Sequence, residues 1–186
     1  MRTHVALLRG INVGGSGKVP MADLRRLLTE RGFTEVATYI QSGNVVLTSS
    51  VADPAAVATT IEEILRDDFA VPRPVVTFTR DEYLAALAAN PFPQVTEPKQ
   101  LHAIFRAAAP TEAELTGLDT ALAAERAAGG QGDAAVIGRV VYLHLPDGLG
   151  RSTLAARLTS RSRAADGGGT ARNWATVGKL AELLGS

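Results

Sequence analysis

The chain has 186 residues, 46% hydrophobic and 20% charged. That suits one compact domain or two small halves and excludes a largely disordered chain. Nineteen Lys and Arg balance nineteen Asp and Glu, so no overall field draws the protein toward nucleic acid or a membrane. There is no cysteine, which removes disulfides, thiolate metal sites and cysteine nucleophiles and permits any redox compartment. The opening apolar run ends at Arg9 and is too brief for a signal h-region or a membrane span. The expectation is a soluble, cytoplasmic protein with no membrane partner. All cations except Lys18, Lys99 and Lys179 are arginine, and alanine occurs 31 times. Arginine is therefore the default cation, and one surface arginine says little.

In chain order, Val5 to Leu8 reads as a buried strand. Pro20 opens a helix carrying Leu24, Leu27 and Leu28, and Gly32 closes it. Val36 to Ile40 and Val45 to Thr48 flank Ser42-Gly43-Asn44, a hairpin signal. Asp53-Pro54 caps a helix with a stripe of Val57, Ile61, Ile64 and Leu65. Pro74 to Phe78 is a further strand, completing a β-α-β-β-α-β unit of ferredoxin-like type. Thr79 and Glu82 have the spacing of a capping box before Tyr83, Leu84 and Leu87. Asn90-Pro91-Phe92-Pro93 through Pro98 cannot propagate a helix and reads as a join.

The second half starts as the first did. Leu101 to Phe105 is a strand, and Thr111 with Glu114 caps a helix bearing Leu115, Leu118 and Leu122. Ala134 to Ile137 and Val140 to Leu145 form a hairpin around Gly138-Arg139. Leu154 to Leu158 and Trp174 to Leu184 predict two more helices, with no clear closing strand. The expected architecture is α+β: two ferredoxin-like halves, the second modified at its C-terminal end. The expected divisions are 1–90, a Pro-rich connector at 91–100, and 101–186.

Three segments could carry chemistry. Arg9-Gly10-Ile11-Asn12-Val13-Gly14-Gly15-Ser16-Gly17-Lys18 combines four glycines with two cations, letting backbone N–H groups approach an anion closely. It is no P-loop, because Asn12 and Val19 stand where that motif needs Gly and Ser or Thr. Its glycines do not fit the dinucleotide fingerprint either. Gly167 to Trp174 opens onto the last helix, where Thr170 or Asn173 can cap and Arg172 offers a fork for carboxylate or phosphate. Gln41-Ser42-Gly43-Asn44 places polar groups on a tight turn, which they can equally serve locally. Arg151, Arg157, Arg161 and Arg163 form a basic run without stacking aromatics, so a solvated helix face is favoured over a nucleic-acid surface. His4, His102 and His144 lack metal-ligand spacing, and no metal is expected. No acid–base pair and no cofactor can be nominated.

The runs Val5–Gly15, Met21–Leu24, Thr38–Val46 and Thr170–Trp174, with Lys179-Leu180, resemble the bacterial domain-of-unknown-function family 1697. The resemblance spans nearly the whole chain and implies a small α+β protein with a duplicated ferredoxin-like arrangement. It implies no established activity, substrate or cofactor. Ala171 stands where a second threonine is usual and Ala175 where an asparagine is common, which trims polar groups from the C-terminal segment.

The leading expectation is a protein that binds a small anionic or phosphorylated ligand between the N-terminal Gly-rich loop and the start of the C-terminal helix. Arg9, Lys18 and Arg172 would supply charge, and Gly14, Gly15 and Gly17 backbone donors. Asn12 or Asn173 would orient the ligand, and Ser42 and Asn44 are further ligand-binding candidates. The alternatives are a nucleic-acid-binding module, or a phosphoryl or nucleotidyl transferase at the same site with Asp23 as the nearby acid.

Overall fold

A computed structural model describes residues 1–13, 17–161 and 169–185 of the chain. The protein divides into two compact units, Met1–Ala85 with Gly178–Ser186, and Ala86–Val177. Among the described residues no helix is long and apolar enough to cross a membrane.

The first unit runs β1 (His4–Leu8), α1 (Met21–Glu30), β2 (Thr34–Tyr39), β3 (Asn44–Thr48), α2 (Pro54–Asp67) and β4 (Val75–Thr79), and α3 (Arg80–Ala88) begins within it. Its sheet is antiparallel in the order β2-β3-β1-β4, the ferredoxin-like arrangement. The uninterrupted run of Val5, Ala6, Leu7 and Leu8 explains why β1 is central. Every one of these side chains is fully buried, as a strand covered on both faces requires. Ala6 and Leu8 join one core with Leu24 and Leu28 of α1 and Val57, Ile61, Ile64 and Leu65 of α2. Each such aliphatic side chain gains about 1.5–3 kcal/mol on burial. Edge strand β2 breaks register between Thr34 and Ala37, with Glu35 at φ 50°, an irregularity that discourages pairing with another chain.

The predicted caps form. Asp53 accepts from the Ala55 N–H at 2.9 Å, and Thr79 and Glu82 exchange bonds of 2.8 and 3.3 Å. Helix α1 differs: its N-cap is Pro20, which makes no side-chain capping bond.

The second unit repeats the plan with β5 (Leu101–Phe105), α4 (Glu112–Ala127), β6 (Asp133–Ile137), β7 (Val140–His144), α5 (Thr153–Arg161) and β8 (Thr170–Asn173). Its order is β6-β7-β5-β8, the same as the first sheet. The closing strand missing from the sequence reading is present, with His102 opposite Asn173 and Phe105 opposite Thr170. It escaped notice because its four residues carry no β-branched run. Pairing with β5 imposes the extended state. A Cβ on Gly169 would lie 2.4 Å from the Phe105 carbonyl oxygen, so this glycine permits the strand's close approach. Helix α6 (Trp174–Gly185) then starts in the second unit, and from Gly178 onward it belongs to the first. There its last turn is closed by cations: Arg2 donates to the Leu183 carbonyl at 2.5 Å, and Arg80 donates to that of Leu184. Both satisfy orphan carbonyls at the negative end of the helix.

A buried carboxylate organises the second unit. Glu125 on α4 is only 3% exposed. It accepts from Leu154 N–H at 2.7 Å, Ser152 hydroxyl at 3.2 Å and Gly132 N–H at 3.3 Å, and so caps α5 from another helix. A Cβ on Gly130 or Gly132 would meet Glu125 Oε1 at 2.5 or 2.6 Å, which accounts for the glycines of that loop. Glu125→Ala would leave these donors buried without an acceptor. The expected loss is about 2–4 kcal/mol in denaturant unfolding, with Glu125→Gln losing less.

Candidate functional site

Three segments meet at the C-terminal end of β1. Leu8 N–H donates to the Gly43 carbonyl at 2.8 Å, and Arg9 N–H to that of Pro74 at 3.2 Å. The loop that follows, from Arg9 to Pro20, is drawn closed by Asn12. Its Nδ2 donates to the carbonyls of Val19 at 3.0 Å and Gln41 at 2.8 Å, while its Oδ1 accepts from Val19 N–H at 2.8 Å. Asn12 N–H also donates to Gly17 O at 2.9 Å. Asn12 stands at φ 54°, a conformation that asparagine tolerates better than most residues. Both hydrogens of its amide are engaged within the chain, so Asn12 shapes the loop and ties it to the β2–β3 turn.

Cations flank this closure in the chain. A Cβ built on Gly17 would lie 3.4 Å from Val71, 3.6 Å from the Gly10 carbonyl and 3.9 Å from Ile11 Cα. Arg9 precedes Gly10, Lys18 follows Gly17, and Arg73 stands two residues beyond Val71 and beside Pro74. Three cations thus flank one small contact between backbone segments. Arg9 is half-buried, whereas Lys18 and Arg73 are exposed. Burial and, next, the neighbouring charge of Arg73 hold the Arg9 guanidinium below the ordinary arginine value. Among the described residues neither Lys18 nor Arg73 has an ion-pair partner. Immediately after the loop comes the first turn of α1, whose N–H groups have no side-chain cap and carry partial positive charge. Asp23 lies in that turn and is exposed.

The other sequence candidates are distributed as follows. Ser42 and Asn44 shape the β2–β3 turn, Asn44 donating to the Tyr39 carbonyl and to Ser42 Oγ, each at 3.0 Å. A Cβ on Gly43 would fall 2.6 Å from Leu8 Cβ, at φ +78°, so only glycine lets the turn sit against β1. Gly14 and Gly15 lie outside the described residues, as does Arg163 of the basic run. Arg172 and Asn173 belong to the second unit. Arg172, 9% exposed on β8, donates to Thr170 Oγ1 at 2.6 Å and to the Ala171 carbonyl at 2.8 Å. Asn173 caps α6 by accepting from Thr176 N–H at 2.8 Å.

Sequence reasoning missed Arg73. The signal was present in the expected topology. In a β-α-β-β-α-β unit the fourth strand pairs antiparallel with the first, so a residue just before β4 stands beside a residue just after β1. Leu8 opposite Val75 is that pairing.

The histidines occupy separate environments. His4 Nδ1 pairs with Thr3 Oγ1 at 2.8 Å and its Nε2 with the Ala52 carbonyl at 3.3 Å. His144 packs against the Phe92 ring at 5.7 Å between centroids. His102 Nδ1 is buried without a hydrogen-bond partner.

The family described as "Protein of unknown function (DUF1697)" matches residues 1–142. The chain belongs to the DUF1697 family. The match takes in the whole β1–α1 loop, the β2–β3 turn and Arg73. The solved structure of a conserved bacterial protein from Streptococcus pneumoniae is similar, with a TM-score of 0.70 and 23% identity over 98% of each chain. That likeness shows a shared fold. No curated protein matches the sequence.

Two expectations follow from this geometry. Asn12→Ala removes three side-chain bonds and places alanine at positive φ, so unfolding stability should fall by about 2–4 kcal/mol in a denaturant titration. Burial lowers the His102 pKa from its ordinary 6.5, so the unfolded chain binds the proton more readily than the folded one. Stability should therefore be lost as pH falls through the unfolded value toward the lower folded one. A His102→Leu variant should show a shallower loss between pH 7 and pH 5.

Proposed function

We propose that the first unit binds a small anionic ligand, a phosphorylated metabolite, at the β1–α1 loop. The observation that carries this reading is the charge of Arg73 acting on Arg9 at the loop in which Lys18 also lies. Like charges so arranged repel one another, and an anion between them turns that repulsion into attraction. Arginine forks suit phosphate oxygens, and the uncapped first turn of α1 supplies further donors. Asn12 acts as the positioning residue: its bonds to Val19 and Gln41 hold the loop closed.

The sequence reading also enlisted Arg172 and Asn173. In this proposal the ligand needs neither, because the cations of the first unit would hold it by themselves.

Thermal unfolding with inorganic pyrophosphate tests the proposal. At about a hundred times the dissociation constant the ligand should add about 2.7 kcal/mol of stability. Arg9→Ala and Arg73→Ala should each remove most of that gain, and Lys18→Ala part of it. Undiminished stabilisation in Arg73→Ala, or none in the wild type, would overturn the reading.

A further inference from the structure

We propose that β6 is the site at which two copies of this chain join, their edge strands pairing antiparallel about a two-fold axis at Val136.

The second sheet ends in β6, which among the described residues pairs with β7 alone. The register runs without interruption from Asp133 opposite His144 to Ile137 opposite Val140. The two strands are joined by the turn Gly138-Arg139, with Gly138 at φ 57°. In a two-residue hairpin the residues flanking the turn exchange both backbone bonds, and the alternation carries back along the strand. Ile137, Ala135 and Asp133 therefore bond to β7, while the N–H and C=O groups of Val136 and Ala134 point out of the edge. The Asp133 carboxylate agrees with this, accepting from the Ala134 N–H at 2.9 Å. Among the described residues nothing pairs with the outward groups of Val136.

Strand edges of this kind are commonly blunted by bulges, charges or proline. The exposed edge of the first sheet is blunted: β2 breaks register and holds Glu35 at φ 50°. Strand β6 has no such device between Ala134 and Ile137. It is regular and uncharged over these residues, and Ile137 is 42% exposed.

The charges select the partner. Asp133 and Arg139 lie three residues to either side of Val136. In an antiparallel pair centred on Val136, Asp133 of each copy reaches Arg139 of the other, and Ile137 lies opposite Ala135. The two Val136 residues exchange their outward bonds, and each exposed Ile137 is covered by a cross-strand neighbour. Such a patch is complementary to itself, as a two-fold interface requires. A foreign strand would need this spacing by chance, whereas a second copy has it by symmetry. Arg139 also donates to the Arg106 carbonyl at 3.3 Å, a bond within its own copy that keeps it beside the turn.

Sedimentation of the full chain from micromolar to millimolar concentration, with amide hydrogen exchange alongside, tests the inference. The expected result is a reversible monomer–dimer equilibrium in which exchange at Val136 slows as the dimer forms. Val136→Pro deletes an N–H that β7 does not use, so the monomer should fold and the dimer should be lost. Ile137→Lys, at an exposed position, should weaken association by about ten-fold or more. Asp133→Arg and Arg139→Asp should each weaken it, and the two together should restore it, because each copy then offers the same pair reversed. A chain that stays monomeric throughout would overturn the inference. So would a dimer that survives both Val136→Pro and Ile137→Lys, or a charge exchange that fails to restore association.

Discussion

The closure of the β1–α1 loop by the Asn12 amide is the interaction on which the candidate site depends. Three side-chain bonds link Asn12 to Val19 and Gln41. They set where Lys18 leaves the loop, where α1 begins and how the β2–β3 turn lies beside both. Beneath this clasp is the wholly buried β1 strand, which carries Arg9 at its end and pairs with β4. Strand pairing brings Arg73 near Arg9, and Lys18 ends the loop that the clasp closes. The chemistry of the site thus follows from two local constraints, neither of which itself touches a ligand.

The two units share strand order but differ in chemistry at corresponding places. Arg106 follows β5 as Arg9 follows β1. Arg106 meets the capping-box carboxylate of Glu114 at 2.5 Å, a charge-assisted bond that fixes it within its own loop. Arg9 instead has another cation, Arg73, for its charged neighbour. In the second unit the buried acidic side chain is Glu125, and it is satisfied by chain donors at Gly132 and at the start of α5. The histidines of the central strands diverge likewise. Both ring nitrogens of His4 find partners, while His102 Nδ1 has none. The duplicated fold is therefore a common scaffold, and the side chains at its loop ends distinguish the two copies.

Much of this fold was legible because its helices announce their starts locally. Asp53, Thr79 with Glu82, and Thr111 with Glu114 all form the capping bonds their spacing predicts. Apolar strands such as Val5–Leu8 and Leu101–Phe105 were equally plain. Strand β8 was not, because Thr170-Ala171-Arg172-Asn173 has no strand signature of its own and is extended only by pairing with β5. At the site, the Gly-rich loop and its cations were visible as composition. The work done by each residue was not. Asn12 reads as a ligand group in sequence because its carbonyl partners at Val19 and Gln41 are defined only after folding. Arg73 stood between two prolines, far from the loop in sequence, and only the β1–β4 pairing makes it relevant. Nothing local in the sequence singles out Glu125, because its partner, the Leu154 N–H, is defined only after folding.

The measurement that tests the central claim most directly is a titration of isotope-labelled protein with pyrophosphate, followed by amide chemical shifts. The account predicts that the largest shifts fall on Gly10, Gly17, Lys18 and the first turn of α1, with Arg73 nearby, and that they vanish in an Arg9→Ala/Arg73→Ala double variant. Shifts centred on α5 or β8 instead, or a spectrum that pyrophosphate leaves unchanged, would contradict it.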